Sequence, residues 1–228
     1  MINLLAFGVW PYVALAIFVV GMIWRWRNDQ YGWTTRTSEL SEKKILWWAS
    51  PMFHVGVLMV VFGHVIGLII PKSWTTAMGV SEHTYHLMAV GLGTVAGLVL
   101  LAGVVGLVLR RFVFKSRLRL ITRPGDIVMY IVLMVQMVLG LWQTIGYSAA
   151  QIVPGFDYRE NVSIWFRSVF YAHPETALMG GAPLVFQLHA VAAFLFFAVW
   201  PFSRLVHVWS APVGYLTRPA IVYRHQGA

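Results

Sequence analysis

Five stretches of this chain are apolar for long enough to cross a bilayer, and that narrows its possible folds more than anything else in it. The runs are Leu4–Trp24, Ile45–Ile70, Tyr85–Leu109, Asp126–Tyr147 and Ala182–Trp200. About 20 mainly apolar residues make a helix that spans the hydrocarbon. Backbone groups in that layer must pair inside the protein, and isolated runs of this length do so as helices. The expected fold is all-α, a polytopic bundle of five transmembrane helices. The last helix is expected to continue past the membrane core to about Trp209. Charge content agrees: 11% of residues are charged, against about 25% in a soluble domain. No Lys or Arg precedes Arg25, so the first run lacks the basic flank of a cleaved signal and reads as a retained span.

The net charge of +9 would suit nucleic acid if it formed one patch. Instead the charges sit in short loops beside apolar runs, where they set orientation. Loop 25–44 carries Arg25, Arg27, Arg36, Lys43 and Lys44. Loop 110–124 carries Arg110, Arg111, Lys115, Arg117, Arg119 and Arg123. With Arg204, Arg218 and Arg224 of the tail these are 14 of the 17 basic residues. The opposite side has Lys72, Arg159 and Arg167. The expected topology has the N-terminus outside and the C-terminus in the cytoplasm. The absence of cysteine excludes disulfides, thiolate metal sites, an iron–sulfur cluster held by this chain and covalently attached c-type haem.

Histidine in a span is costly and as a rule faces the protein interior. His54 and His64 lie on the second run, His189 and His207 on the last. The two runs cross in opposite directions, so depth pairs His64 with His189 near the outside and His54 with His207 near the cytoplasm. His189 and His207 are separated by about five helical turns and share a face; His54 and His64 are about 2.8 turns apart. The rises differ, roughly 15 Å against 27 Å, and a tilt or a kink at Pro201 must absorb the difference. Two bis-histidine haems at two depths would use such a set. A single buried histidine is equally well explained as a hydrogen-bonded core residue. A zinc or copper cluster would gather its ligands at one depth.

Gly56, Gly63 and Gly67 on the second run, and five glycines on the third, suit close helix packing and equally leave room for a flat macrocycle. His83 and His86, at the outer end of the third run, are candidates for binding a quinone oxygen or passing a proton, or are interfacial residues. Arg110, Arg111 and Arg204 suit a haem propionate through the guanidinium fork, or serve as orientation charge.

The local stretches are Phe53-His54-Val55-Gly56, Gly63-His64, Gly125-Asp126-Ile127 and, most specific, Pro201-Phe202-Ser203-Arg204-Leu205-Val206-His207-Val208-Trp209-Ser210, followed by Tyr215-Leu216-Thr217-Arg218. Together they resemble the gamma subunit of respiratory nitrate reductase, over nearly the whole chain. The resemblance implies a cytochrome b of the bacterial inner membrane with two b-type haems. It assigns His54 and His207 to the inner haem iron, and His64 and His189 to the outer one. It implies partners too: an iron–sulfur beta subunit and a molybdenum-containing alpha subunit, both in the cytoplasm. Residues 1–209 would be the membrane domain, and 210–228, with Tyr215, Leu216 and Arg218, a tail docking to the partner.

The substrate implied is quinol, either menaquinol or ubiquinol, oxidised near Gly63, His64, His83 and His86. Some relatives place a lysine near the start of the third span; Ser81-Glu82-His83-Thr84-Tyr85-His86 has none, which turns the expectation to a histidine. The anchor of a hydrogenase or formate dehydrogenase would use the same histidine pairs. A haem-free transporter with histidine relays would want acidic residues inside the spans, where only Asp126 stands, at the start of its run.

Overall fold

A computed structural model describes residues 1–33, 42–114, 122–149, 156–210, 217 and 219. Five long apolar helices cross it: α1 (Ile2–Asn28), α2 (Lys44–Ile69), α4 (Glu82–Phe114), α5 (Pro124–Gly146) and the span Leu184–Phe202, whose regular part is α8 (Leu184–Val199). Each matches an expected run to within about five residues at either end. Short helices α3 (Lys72–Ala77), α6 (Val162–Phe170) and α7 (Thr176–Gly180) lie in the connections. No strand occurs among the described residues. The docking tail expected at 210–228 falls outside them except for Ser210, Thr217 and Pro219.

Helix starts follow local chemistry. The Ser81 hydroxyl accepts from the Thr84 backbone N–H at 3.1 Å and caps α4, satisfying one of its unpaired first-turn donors. Pro124 opens α5, where its missing N–H costs nothing, and the Asp126 carboxylate accepts from the Arg123 N–H at 3.0 Å. Three spans finish in wide π-type turns, at Val65–Ile69, Arg110–Phe114 and Trp142–Ala149.

Two cores organise the bundle. Phe7, Ala14, Trp165, Val169, Met179, Phe186, Phe194 and Ala198 join α1, α6, α7 and α8. The loop before α8 therefore enters the bundle: the Trp165 indole donates to the Phe7 carbonyl at 2.9 Å. Leu100, Val104, Leu133 and Met137 join α4 to α5, with Phe53, Val57 and Val60 of α2 packed on them. In this second core α2 and α4 meet backbone to backbone. A Cβ placed on Gly56 would lie 2.6 Å from Leu100 Cα, and one on Gly103 would collide with the Phe53 backbone.

The last span departs from the expected continuous helix. Its α-helical part ends at Val199, a 3-10 turn covers Trp200–Phe202, Ser203 is extended, and a second 3-10 segment runs Arg204–Ser210. The cause is Pro201, which has no N–H for the helical ladder. Arg25 of α1 covers the break, donating to the Pro201 carbonyl at 2.6 Å and to that of Ser203 at 2.9 Å. The equal-face argument for His189 and His207 therefore fails, since no single helix carries both.

Gly103→Ala is expected to lower stability by about 1–3 kcal/mol, the usual cost of overpacking. Gly146→Ala, whose added carbon would make ordinary contact with Trp142, should stay within about 0.5 kcal/mol. Thermal unfolding in detergent compares the two.

Candidate functional site

The structure brings the four histidines together in two pairs. The ring centroids of His64 and His189 are 6.1 Å apart, with planes 20° from parallel. Those of His54 and His207 are also 6.1 Å apart, at 72°. The break at Pro201–Ser203 absorbs the unequal rises, because both pairs reach the same separation. Helix α2 packs chiefly on α4, and α8 on α1 and α5.

Each ring has one nitrogen held by the protein. His54 Nδ1 donates to the Ser50 carbonyl, His64 Nδ1 to that of Val60 and His207 Nδ1 to that of Arg204, all at 2.7 Å. A donating Nδ1–H fixes the tautomer that leaves a lone pair on Nε2. His189 is held the other way round: the Gln136 amide of α5 donates to its Nε2 at 3.0 Å, and its Nδ1 is buried with no partner. Gly140 makes room for this ring, since a Cβ there would lie 3.2 Å from His189 Cε1. A Cβ on Gly63 would meet nothing within 4 Å, so space lies beside His64. Among the described residues no cluster of three or more His, Asp or Glu could hold a metal by itself; the arrangement is pairwise.

His83 is exposed and His86 half-buried, and neither joins the ring pairs. Gln136 and Gly140 were not singled out in the sequence. The signal was present for Gln136, an amide in the middle of an apolar span, where polar side chains are expensive.

The arginines expected near haem propionates are engaged by protein carboxylates. Asp126, 4% exposed, accepts from Arg204 Nε at 2.6 Å and from its terminal nitrogen at 2.8 Å. Arg111 reaches the same carboxylate at 3.4 Å. The Arg204 carbonyl in turn holds His207, so one carboxylate ties α4, α5 and the segment after α8 to an imidazole. Arg110 Nε pairs with Glu42 at 2.8 Å. Burial pushes the Glu42 carboxyl up, but the Ile45 and Leu46 N–H groups and Arg110 outweigh it and hold the pKa below the usual range.

The site is thus defined as two facing imidazole pairs at two levels of a five-helix membrane bundle. The profile of the family described as "Nitrate reductase gamma subunit" matches residues 3–226, and the chain belongs to that family. It is 43% identical to the nitrate reductase gamma chain of Bacillus subtilis, over 98% of this chain and 99% of that one. It is 35% identical to the respiratory nitrate reductase 1 gamma chain of Escherichia coli, over 95% of each. It is 49% identical to the nitrate reductase-like protein NarX of Mycobacterium tuberculosis over 98% of its own length, and spans about a third (34%) of that longer protein. The chain is a multi-pass protein of the bacterial inner membrane.

Asp126→Asn removes the carboxylate charge from buried Arg111 and half-buried Arg204, and breaking a buried pair costs about 3–5 kcal/mol. A marked drop in thermal stability is expected, measured by unfolding in detergent. A group with a lowered folded pKa stabilises fully above its unfolded pKa and loses that contribution as pH falls through the folded value. Stability of the wild type should therefore fall below about pH 4, and more shallowly in Glu42→Gln, as read from unfolding midpoints against pH.

Proposed function

We propose that this chain is the quinol-oxidising cytochrome b subunit of a nitrate reductase complex, with His54 and His207 holding one b-type haem and His64 and His189 a second. The observation that carries this is the two ring pairs, each ring with one nitrogen held by the protein and the other without a hydrogen-bond partner. Metal–imidazole bonds are about 2 Å long, so two in line need about 6 Å between ring centroids. The 6.1 Å separation in both pairs fits. His189 differs from the other three: its Nε2 is held by Gln136 and its partnerless nitrogen is Nδ1, so ligation through Nε2 requires the Gln136 amide to give way. A bis-histidine haem supplies one-electron transfer when bound.

The chain's own residues do the rest. Carbonyls of Ser50, Val60 and Arg204, and the Gln136 amide, orient the imidazoles; such outer contacts fix ring orientation and tune the metal. Asp126, by holding Arg204, fixes the position of the His207 acceptor. Basic residues gather at the His54–His207 end, which supports placing that end at the cytoplasm. The His64–His189 end then faces outside, where quinol would be oxidised and its protons released. Partner subunits, with an iron–sulfur cluster and molybdenum, would receive the electrons at the cytoplasmic end.

All the relatives reported above carry nitrate reductase in their names, which favours that complex over a hydrogenase or formate dehydrogenase anchor. A histidine-relay transporter has little support. Among described residues of the spans, Asp126 is tied to two arginines and Glu82 to Lys72 at 3.4 Å.

In the assembled complex, His64→Ala should lose one haem together with quinol oxidation. His54→Ala should keep quinol-reducible haem and lose quinol-driven nitrate reduction. Reduced-minus-oxidised absorbance and nitrate turnover check both. Full haem content and activity in His64→Ala would refute the assignment.

A further inference from the structure

At the His64–His189 end a buried cation has no partner. Arg159 is 2% exposed, and its Nε and both terminal nitrogens are buried without a hydrogen-bond acceptor. Its guanidinium lies over the Tyr85 ring, 3.8 Å from the centroid. Stacking offsets part of the desolvation but satisfies none of the five N–H groups. Buried donors left unpaired are rare, and each calls for an explanation.

The neighbouring cations are already engaged. Lys72 reaches Asp157 and Glu160 at 2.7 Å and Glu82 at 3.4 Å. Arg167 donates to the Leu68 carbonyl at 2.9 Å and to the Ser163 hydroxyl at 3.2 Å. Lys72, Arg159 and Arg167 line a cavity of about 680 Å³ between α3 and α6, with Glu160 beside them. With Lys72 and Arg167 satisfied by the protein, Arg159 is left to take a ligand that brings a hydrogen-bond acceptor.

The surroundings favour an oxygen on a ring. The Tyr85 hydroxyl shares a hydrogen bond with that of Tyr158 at 3.1 Å. A Cβ on Gly67 would lie 3.1 Å from the Tyr158 hydroxyl, so the phenol pair abuts α2 three residues beyond His64. Ring stack, phenol pair and orphaned guanidinium meet at one end of one histidine pair.

We propose that Arg159, stacked on Tyr85, binds an oxygen of the quinol head group at this end of the bundle. The inference rests on the quinol reading above and adds a binding residue that this reading does not contain. Arg159 neither takes up nor releases a proton, because a guanidinium stays charged. It donates to the quinol oxygen and favours whatever negative charge develops there.

The test is made on the assembled complex in membranes, with menadiol as the quinol. Arg159→Gln should raise KM by about tenfold to a hundredfold, the value of a hydrogen bond from a charged donor, and change kcat by less than about threefold. Haem content and the dithionite-reduced spectrum should match the wild type. Arg159→Lys keeps the charge and should recover part of the loss. Tyr85→Phe keeps the ring beneath the guanidinium and should disturb KM less than Arg159→Gln. An unchanged KM with full haem content in Arg159→Gln overturns this inference and leaves the haem reading standing. Equal loss of haem in Arg159→Gln and Arg159→Lys makes the residue structural and also overturns it. Wild-type complex without quinol-reducible haem removes the parent reading and this one together.

Discussion

Within hydrocarbon a polar side chain keeps its place only if the protein supplies its partner, and this requirement shapes the bundle around its histidines. The three rings outside α8 are each anchored by a nearby carbonyl, at Ser50, Val60 or Arg204; His189 is anchored across a helix interface by Gln136. In His54, His64 and His207 the anchors leave Nε2 without a hydrogen-bond partner; in His189 the nitrogen left over is Nδ1, beside Gly140. The anchor of His207 is itself held in place, because Arg204 is gripped by Asp126 at 2.6 and 2.8 Å. Disturbing Asp126 therefore reaches the imidazole through two intervening contacts.

The two ends of the bundle solve the polar problem differently. At the His54–His207 end each described buried arginine has a carboxylate or a set of carbonyls, and the broken span is sealed by Arg25. At the other end the ion pairs satisfy Lys72 and leave Arg159 with an aromatic face alone. Among the described residues the ion pairs close on Arg110, Arg111 and Arg204 at one end, while at the other a buried guanidinium rests on a ring.

Much of this was legible in the sequence. The spans were, because length and apolarity alone decide them. The histidine pairing was too, because antiparallel spans fix depth. The break after Val199 was only partly legible: Pro201 announced a disturbance, but the extended Ser203 and its cover by Arg25 depend on contacts more than 170 positions apart. The fates of Arg110, Arg111 and Arg204 were not legible, since a basic residue at a span's edge looks the same whether it orients the protein or closes a buried ion pair. His83 and His86 drew attention by residue type. Arg159 did not, because nothing local marks a loop arginine as buried, and its burial comes from the entry of α6 into the core beside α1 and α8.

The central claim is that four imidazoles form two bis-histidine sites. The most direct measurement is haem extraction from the purified oxidised protein together with its electron paramagnetic resonance spectrum. The account predicts two non-covalent b-type haems per chain, both low-spin, as axial imidazoles on each side of the iron require. A folded protein with no haem, with one, or with a high-spin iron lacking its second imidazole would contradict it.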